Sequence, residues 1–242
     1  MHPILFKIGS FTFYTHGLLA VMGIIAGSLL LYYLARKERL ATDVMFDNII
    51  YSVLAGIIGA RITYFTLYRD QFGSFSEIFY LWNGGMVSYG GFILGGIILF
   101  LLFKRQKQNV KKWLDIASLA FPLGLILGRL GNLFAGEYAG IATQSKFNMN
   151  GLVPVTLLEG ILLALIFLIL LLARIKLQKI KEGTIFIILL LSYGLGRFII
   201  DFWRDEKDII WKISTGQSIS IIVFLAGLAL FLSYFVPLKK RK

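Results

Sequence analysis

The stretch PVTLLEGILLALIFLILLLA, Pro154 to Ala173, runs for twenty residues with a single charge, Glu159. About 20 apolar residues are what a helix needs to cross a hydrocarbon core some 30 Å thick. Scanning outward for stretches of the same kind gives seven segments: 16–35, 45–68, 88–103, 113–134, 154–173, 183–203 and 217–236. The third is short, and Gly84-Gly85 and Gly90-Gly91 before it suggest a broken or re-entrant entry covered by other helices. Composition agrees with the segments. Of 242 residues, 57% are hydrophobic and 16% charged, against roughly 45–50% and about 25% in soluble domains. A water-soluble globule is excluded, and the expected fold is an all-α integral membrane protein of about seven transmembrane helices. No linker, low-complexity tract or internal repeat stands out, so one polytopic domain over 1–242 is expected.

The net charge of +12 is in the range associated with nucleic-acid binding, but the cations sort by position. Sixteen of the 25 Lys and Arg fall in the connections at 36–39, 104–112 and 174–181 and in the tail at 239–242. By the positive-inside rule those segments are cytoplasmic, which puts the N-terminus outside and the C-terminus inside. The excess of cations is thus a topology signal, and no nucleic-acid partner is expected. The outer connections 69–87 and 135–153 are longer, polar and rich in Gly and Asn, and should form a small outer-face head. The N-terminus, Met1-His2-Pro3, lacks a basic region and a cleavage site, so the first apolar stretch should stay in the mature chain. With no cysteine and only two histidines, His2 and His16, neither a metal site nor a cofactor is expected.

Three arginines, Arg61, Arg129 and Arg197, lie inside spans, where ionisable groups are costly and usually face a protein interior or a cavity. At about 1.5 Å per residue, each is roughly 20–26 Å from the inner end of its helix, in the outer half of the membrane. Each is either a structural tie to carbonyls or carboxylates or part of an anion site open to the outer leaflet. Asp201 and Arg204 follow Arg197 at i+4 and i+7, which puts all three on one face of the sixth span, with the carboxylate between the two guanidiniums. Arg129 is flanked by Gly128 and Gly131, and Asn132 and Glu137 add polar groups nearby. His16 and Tyr89 open the first and third spans at the outer surface. Glu159 is a further intramembrane carboxylate near an outer end.

At these residues the chain resembles the bacterial prolipoprotein diacylglyceryl transferases. The signature is Gly128-Arg129-Leu130-Gly131-Asn132, continuing through Glu137 to Gly140. In order with it come Trp82-Asn83-Gly84-Gly85-Met86 before Tyr89-Gly90-Gly91, Tyr193-Gly194-Leu195-Gly196-Arg197-Phe198 through Asp201 to Arg204, and Gly216-Gln217. The resemblance implies an enzyme of the bacterial inner membrane, with its site toward the outer leaflet. Its partners would be phosphatidylglycerol and prolipoprotein signal peptides carrying a lipobox cysteine. It would move the diacylglyceryl group onto that cysteine's thiol and release glycerol-1-phosphate. The family's essential arginines map onto Arg129 and Arg197, and supporting acidic and basic positions onto Asp201 and Arg204. Gly131, Asn132, Glu137, Gly140 and Glu159 join them as expected substrate-binding residues. This chain has Tyr89 where many members have His, His16 where a Tyr is common, and Ala135 in place of an Asn. Tyr89, His16 or a water between them is therefore the expected proton acceptor.

Absence of cysteine fits a reaction whose nucleophile arrives with the substrate. Read without the resemblance, the arginines would equally suit a secondary transporter of an organic anion, although the inverted repeats common in transporters are not evident. A homologue that binds lipid or signal peptide without catalysis is a third reading.

Overall fold

The computed structural model describes residues 4–8, 11–80, 84–138, 140–176, 180–205, 208–210 and 213–235. Trp82 and Asn83, the end of the last predicted span and the basic tail at 239–242 lie outside them. Seven helices are long and apolar enough to cross a membrane: α1 (Thr15–Lys37), α2 (Met45–Leu67), α3 (Ser88–Arg105), α4 (Val110–Ala135), α5 (Val155–Lys176), α6 (Thr184–Ile200) and α7 (Thr215–Phe235). The chain is an all-α multi-pass membrane protein. Ile24, Ile25, Leu29, Ile93, Leu165 and Ile222 are exposed along these helices, as lipid-facing side chains are. Several helices outrun the predicted apolar segments by a few residues because they continue through Lys and Arg, whose aliphatic stems reach back along apolar surface while the charge stays in water.

Two features were not legible in hydropathy. Strands β1 (Ile4–Ile8) and β2 (Phe11–Tyr14) pair antiparallel ahead of α1, drawing on aromatic and β-branched residues with strand propensity. A second antiparallel pair, β3 (Asp208–Ile210) with β4 (Ile213–Ser214), precedes α7.

The chain divides into two compact units, residues 32–113 and residues 1–31 with 114–242. In the first, α2 packs on α3 through small residues. A β-carbon on Gly59 would strike the carbonyl oxygen of Gly90, and the Ser52 hydroxyl donates to the Gly95 carbonyl at 2.9 Å. Close backbone approach of this kind is how helices gain packing energy where lipid removes any hydrophobic drive. Asn48 and Gln106 exchange amide hydrogen bonds of 2.8 and 2.9 Å. Ahead of α3, the 84–87 segment is not helical, and Gly84 and Gly85 hold φ of 71° and 76°, backbone that side chains resist.

Buried Arg61 organises the described part of the connection between α2 and α3. Its guanidinium donates to the carbonyls of Glu77 (2.7 Å), Ile78 (3.0 Å), Tyr80 (3.0 Å), Gly84 and Gly85 (3.0 Å). Of the two readings open to Arg61, the geometry is that of a carbonyl tie, holding residues 77–80 and 84–85 to the end of α2.

In the second unit α6 packs on α5 and α7. Its N-terminus is capped from α4: Asp115 accepts the Gly183 amide at 2.6 Å and the Phe186 amide at 3.0 Å, meeting donors that a helix start leaves unpaired. Lys181 stands 3.8 Å over the Tyr234 ring. α1 crosses α4 at glycines: a β-carbon on Gly23 would meet the Gly124 carbonyl, and one on Gly131 would sit 2.9 Å from the Cα of His16.

Candidate functional site

Glu159 sits in the first turns of α5, which begins just after Pro154, a residue suited to a helix start. It is 3% exposed, and three arginines converge on it. Arg129, from the last turns of α4, brings Nε to within 2.7 Å of Glu159 Oε2. Arg197 of α6 pairs through Nη1 with Oε1, and Arg204 places Nη1 2.6 Å from the same oxygen. Arg197 is held a second time, by Asp201 Oδ1 at 2.9 Å from Nη2. Three guanidiniums and two carboxylates leave one formal positive charge in a place where bulk water screens little.

This arrangement corrects the expected geometry of the 197–204 segment. α6 ends at Ile200, residues 201–203 form a single 3-10 turn, and Arg204 is extended with ψ 137°, so the three residues do not lie on one continuous helix face. The carboxylate that bridges Arg197 and Arg204 is Glu159, from another helix, a place the sequence reading gave to Asp201.

Arg204 is aimed by the signature loop. Gly140 pairs with it as an antiparallel bridge, and the Ile141 amide donates to the Trp203 carbonyl at 3.0 Å. On the other side the Val153 amide donates to the Ile141 carbonyl at 3.0 Å. A β-carbon on Gly140 would strike the Val153 carbonyl, so the last glycine of the signature is where two backbones close on a third. The loop is tied to α5 as well: the Thr156 amide donates to the Tyr138 carbonyl at 3.2 Å, and its hydroxyl to the Glu137 carbonyl at 2.5 Å. Neither tie was legible beforehand, although Thr156 stands three residues before Glu159, one turn away on the same helix.

The remaining predicted residues take separate places. The Asn132 carbonyl accepts the Glu137 amide at 2.9 Å, and Gly131 lies against α1. His16, second residue of α1, turns Nδ1 toward Glu137 Oε1 at 4.0 Å. Tyr89 lies half-buried in the first turn of α3, in the 32–113 unit. A small pocket at the cluster is lined by Arg129, Glu159, Leu162, Leu163, Tyr193 and Arg197. Tyr193 opens the motif that contains Arg197; its place four residues before that arginine, on the same helix face, is the signal that could have found it. Among the described residues no group of three or more His, Asp or Glu converges to hold a metal.

A family profile described as prolipoprotein diacylglyceryl transferase matches residues 3–233. The chain belongs to the prolipoprotein diacylglyceryl transferase family. It is similar to the phosphatidylglycerol–prolipoprotein diacylglyceryl transferase of Streptococcus equi subsp. zooepidemicus (strain H70), 30% identical over 245 residues that cover 94% of this chain and 93% of that one. It is similar also to the protein of that name from Streptococcus pneumoniae (strain JJA), 28% identical over 254 residues, 99% of this chain and 96% of that one. The match runs across the spans and the loops between them, so the arginine cluster and the signature loop both fall inside it.

Proposed function

We propose that the chain transfers the diacylglyceryl group of phosphatidylglycerol to the thiol of the lipobox cysteine in a prolipoprotein, releasing glycerol-1-phosphate. It works as one polytopic domain in the bacterial cytoplasmic membrane, with its N-terminus outside and its site toward the outer leaflet. The observation that carries this reading is the convergence of Arg129, Arg197 and Arg204 on Glu159 beside an open pocket. The surplus of one positive charge matches the single negative charge of a phosphodiester.

The arginines divide the work by exposure. The Arg197 side chain is 4% exposed, with both terminal nitrogens on carboxylates, whereas that of Arg129 is 25% exposed. Arg129 is therefore the arginine that meets the phosphate, and Arg197 fixes the frame and adds field. As the thiolate attacks the glyceryl carbon, the carbon–oxygen bond breaks and charge gathers on the leaving phosphate. Donors already aimed at that charge lower the barrier, by about 3 kcal/mol for one such donor. Arginine does not take the thiol proton, since its guanidinium stays protonated; Tyr89 and His16 are the candidates for that step. Asn132, Glu137, Asp201 and Gly140 shape and hold the site around the lipid.

The test incubates the purified protein in phosphatidylglycerol vesicles with a lipobox peptide and measures diacylglyceryl thioether and glycerol-1-phosphate. Thioether formation that falls about 10²–10³-fold in Arg129→Ala supports the clamp. Anion uptake into vesicles without thioether would replace this reading by a transporter.

A further inference from the structure

We infer that His16 is the group that takes the thiol proton and that Glu137 is the residue that positions it. The inference rests on the transferase reading above. His16 is fixed through its backbone: a β-carbon on Gly131 would lie 2.9 Å from the His16 Cα and 3.2 Å from its carbonyl oxygen, so the first turn of α1 is seated on α4. Arg129 is two residues before Gly131, roughly 3 Å further along the α4 axis at about 1.5 Å per residue. The backbone of His16 is thereby seated on the helix that carries Arg129.

Its side chain is 45% exposed and that of Glu137 55%, so a peptide thiol can reach the pair. Glu137 is pinned on both sides of its own backbone. Its amide donates to the Asn132 carbonyl at 2.9 Å, and its carbonyl accepts the Thr156 hydroxyl at 2.5 Å, from one turn before Glu159. The acid facing His16 and the acid gathering the arginines are thus joined through Thr156. The groups facing the imidazole are the Glu137 carboxylate, 4.0 Å from Nδ1, and the Tyr14 ring of β2, 5.6 Å between centroids; α4 meets it at Gly131, which bears no charge.

A carboxylate on the Nδ1 side keeps the ring proton there and leaves the Nε2 lone pair as acceptor. Nε2 takes the S–H proton, and the sulfur electron pair forms the carbon–sulfur bond to the glyceryl carbon. The carbon–oxygen bond to phosphate breaks, its electron pair leaving on the phosphate oxygen. The imidazolium, facing Glu137, returns its proton to water or to the departing phosphate. The 4.0 Å separation is longer than a hydrogen bond, and catalytic pairs commonly tighten only once substrate is bound.

The experiment uses the full chain in phosphatidylglycerol vesicles with a lipobox peptide, in a His2→Gln background that leaves His16 as the single histidine. Carbethoxylation of the folded protein with diethyl pyrocarbonate should abolish thioether formation, and hydroxylamine should restore it. His16→Gln should lower kcat about 10²–10⁴-fold with KM for the lipid unmoved. Glu137→Gln should lower kcat at least about tenfold and shift the low-pH limb of the kcat profile, with Glu137→Asp recovering part of the rate. Full-rate transfer by the carbethoxylated protein overturns the inference, as does a Glu137→Gln protein whose kcat and pH profile match the parent. Tyr89→Phe with the larger kcat loss would move the role to Tyr89. No thioether from the unmodified protein would instead remove the transferase reading, and this inference with it.

Discussion

Replacing Glu159 by Gln keeps the side chain's shape and removes the charge that three arginines share. The local formal charge rises from +1 to +2, and guanidiniums that were joined through one carboxylate then face one another across it. Breaking a buried ion pair by removing one partner costs about 3–5 kcal/mol, because the other charge is left uncompensated. Here the Arg129 and Arg204 side chains, 25% and 19% exposed, recover some hydration, while Arg197, at 4%, keeps Asp201. The lower end, about 3 kcal/mol, is therefore expected. At about 2–4 °C per kcal/mol for a chain of this size, Tm should fall by about 6–12 °C in a thermal unfolding assay in detergent, and thioether formation at permissive temperature should fall with it. Glu159→Asp, which keeps the charge, should lose less on both counts. A Glu159→Gln protein with unchanged Tm and full transfer would refute the view that this carboxylate organises the arginines.

Arg61→Leu should strip five carbonyls of their shared donor; hydrogen exchange in residues 69–87 should rise before any change in residues 136–153. Gly140→Ala drives a β-carbon into the Val153 carbonyl and should displace Arg204, lowering transfer by more than Gly17→Ala, whose β-carbon meets nothing within 4 Å. Asp115→Ala removes the acceptor of two amides at the start of α6 and should cost about 1–2 kcal/mol, as lost helix caps do, read as a fall of several degrees in Tm with KM for the lipid unchanged.

The spans were readable because the bilayer fixes how long an apolar run must be, and Glu159 alone in its twenty residues already marked α5. Arg129 and Arg197 stood out for a related reason: a charge in lipid needs a purpose. Pairing was harder to read. Spacing along one helix favoured Asp201 as the bridge between Arg197 and Arg204, whereas the carboxylate that joins them comes from α5, and nothing local to either segment encodes that meeting. The helix also stops at Ile200, where the Gly140 loop takes over the backbone hydrogen bonding of residues 203–204, a tertiary event with no local signal. The β1–β2 pair was missed because a search for long apolar runs begins at residue 16 and passes over short alternating ones.

The partners of the ionic cluster also bear on biogenesis. Arg129 and Glu159 belong to successive spans joined by a single loop, and Arg197 carries Asp201 four residues behind it. Each lone charge at a span centre costs about 2.5–3.5 kcal/mol on insertion scales. Entering as the α4–α5 hairpin, and then as α6 with its trailing carboxylate, the chain brings each arginine into the bilayer beside its own counter-ion. Arg204 follows α6 and is the last arginine of the cluster to enter, completing the surplus of charge after the neutral pairs are in place.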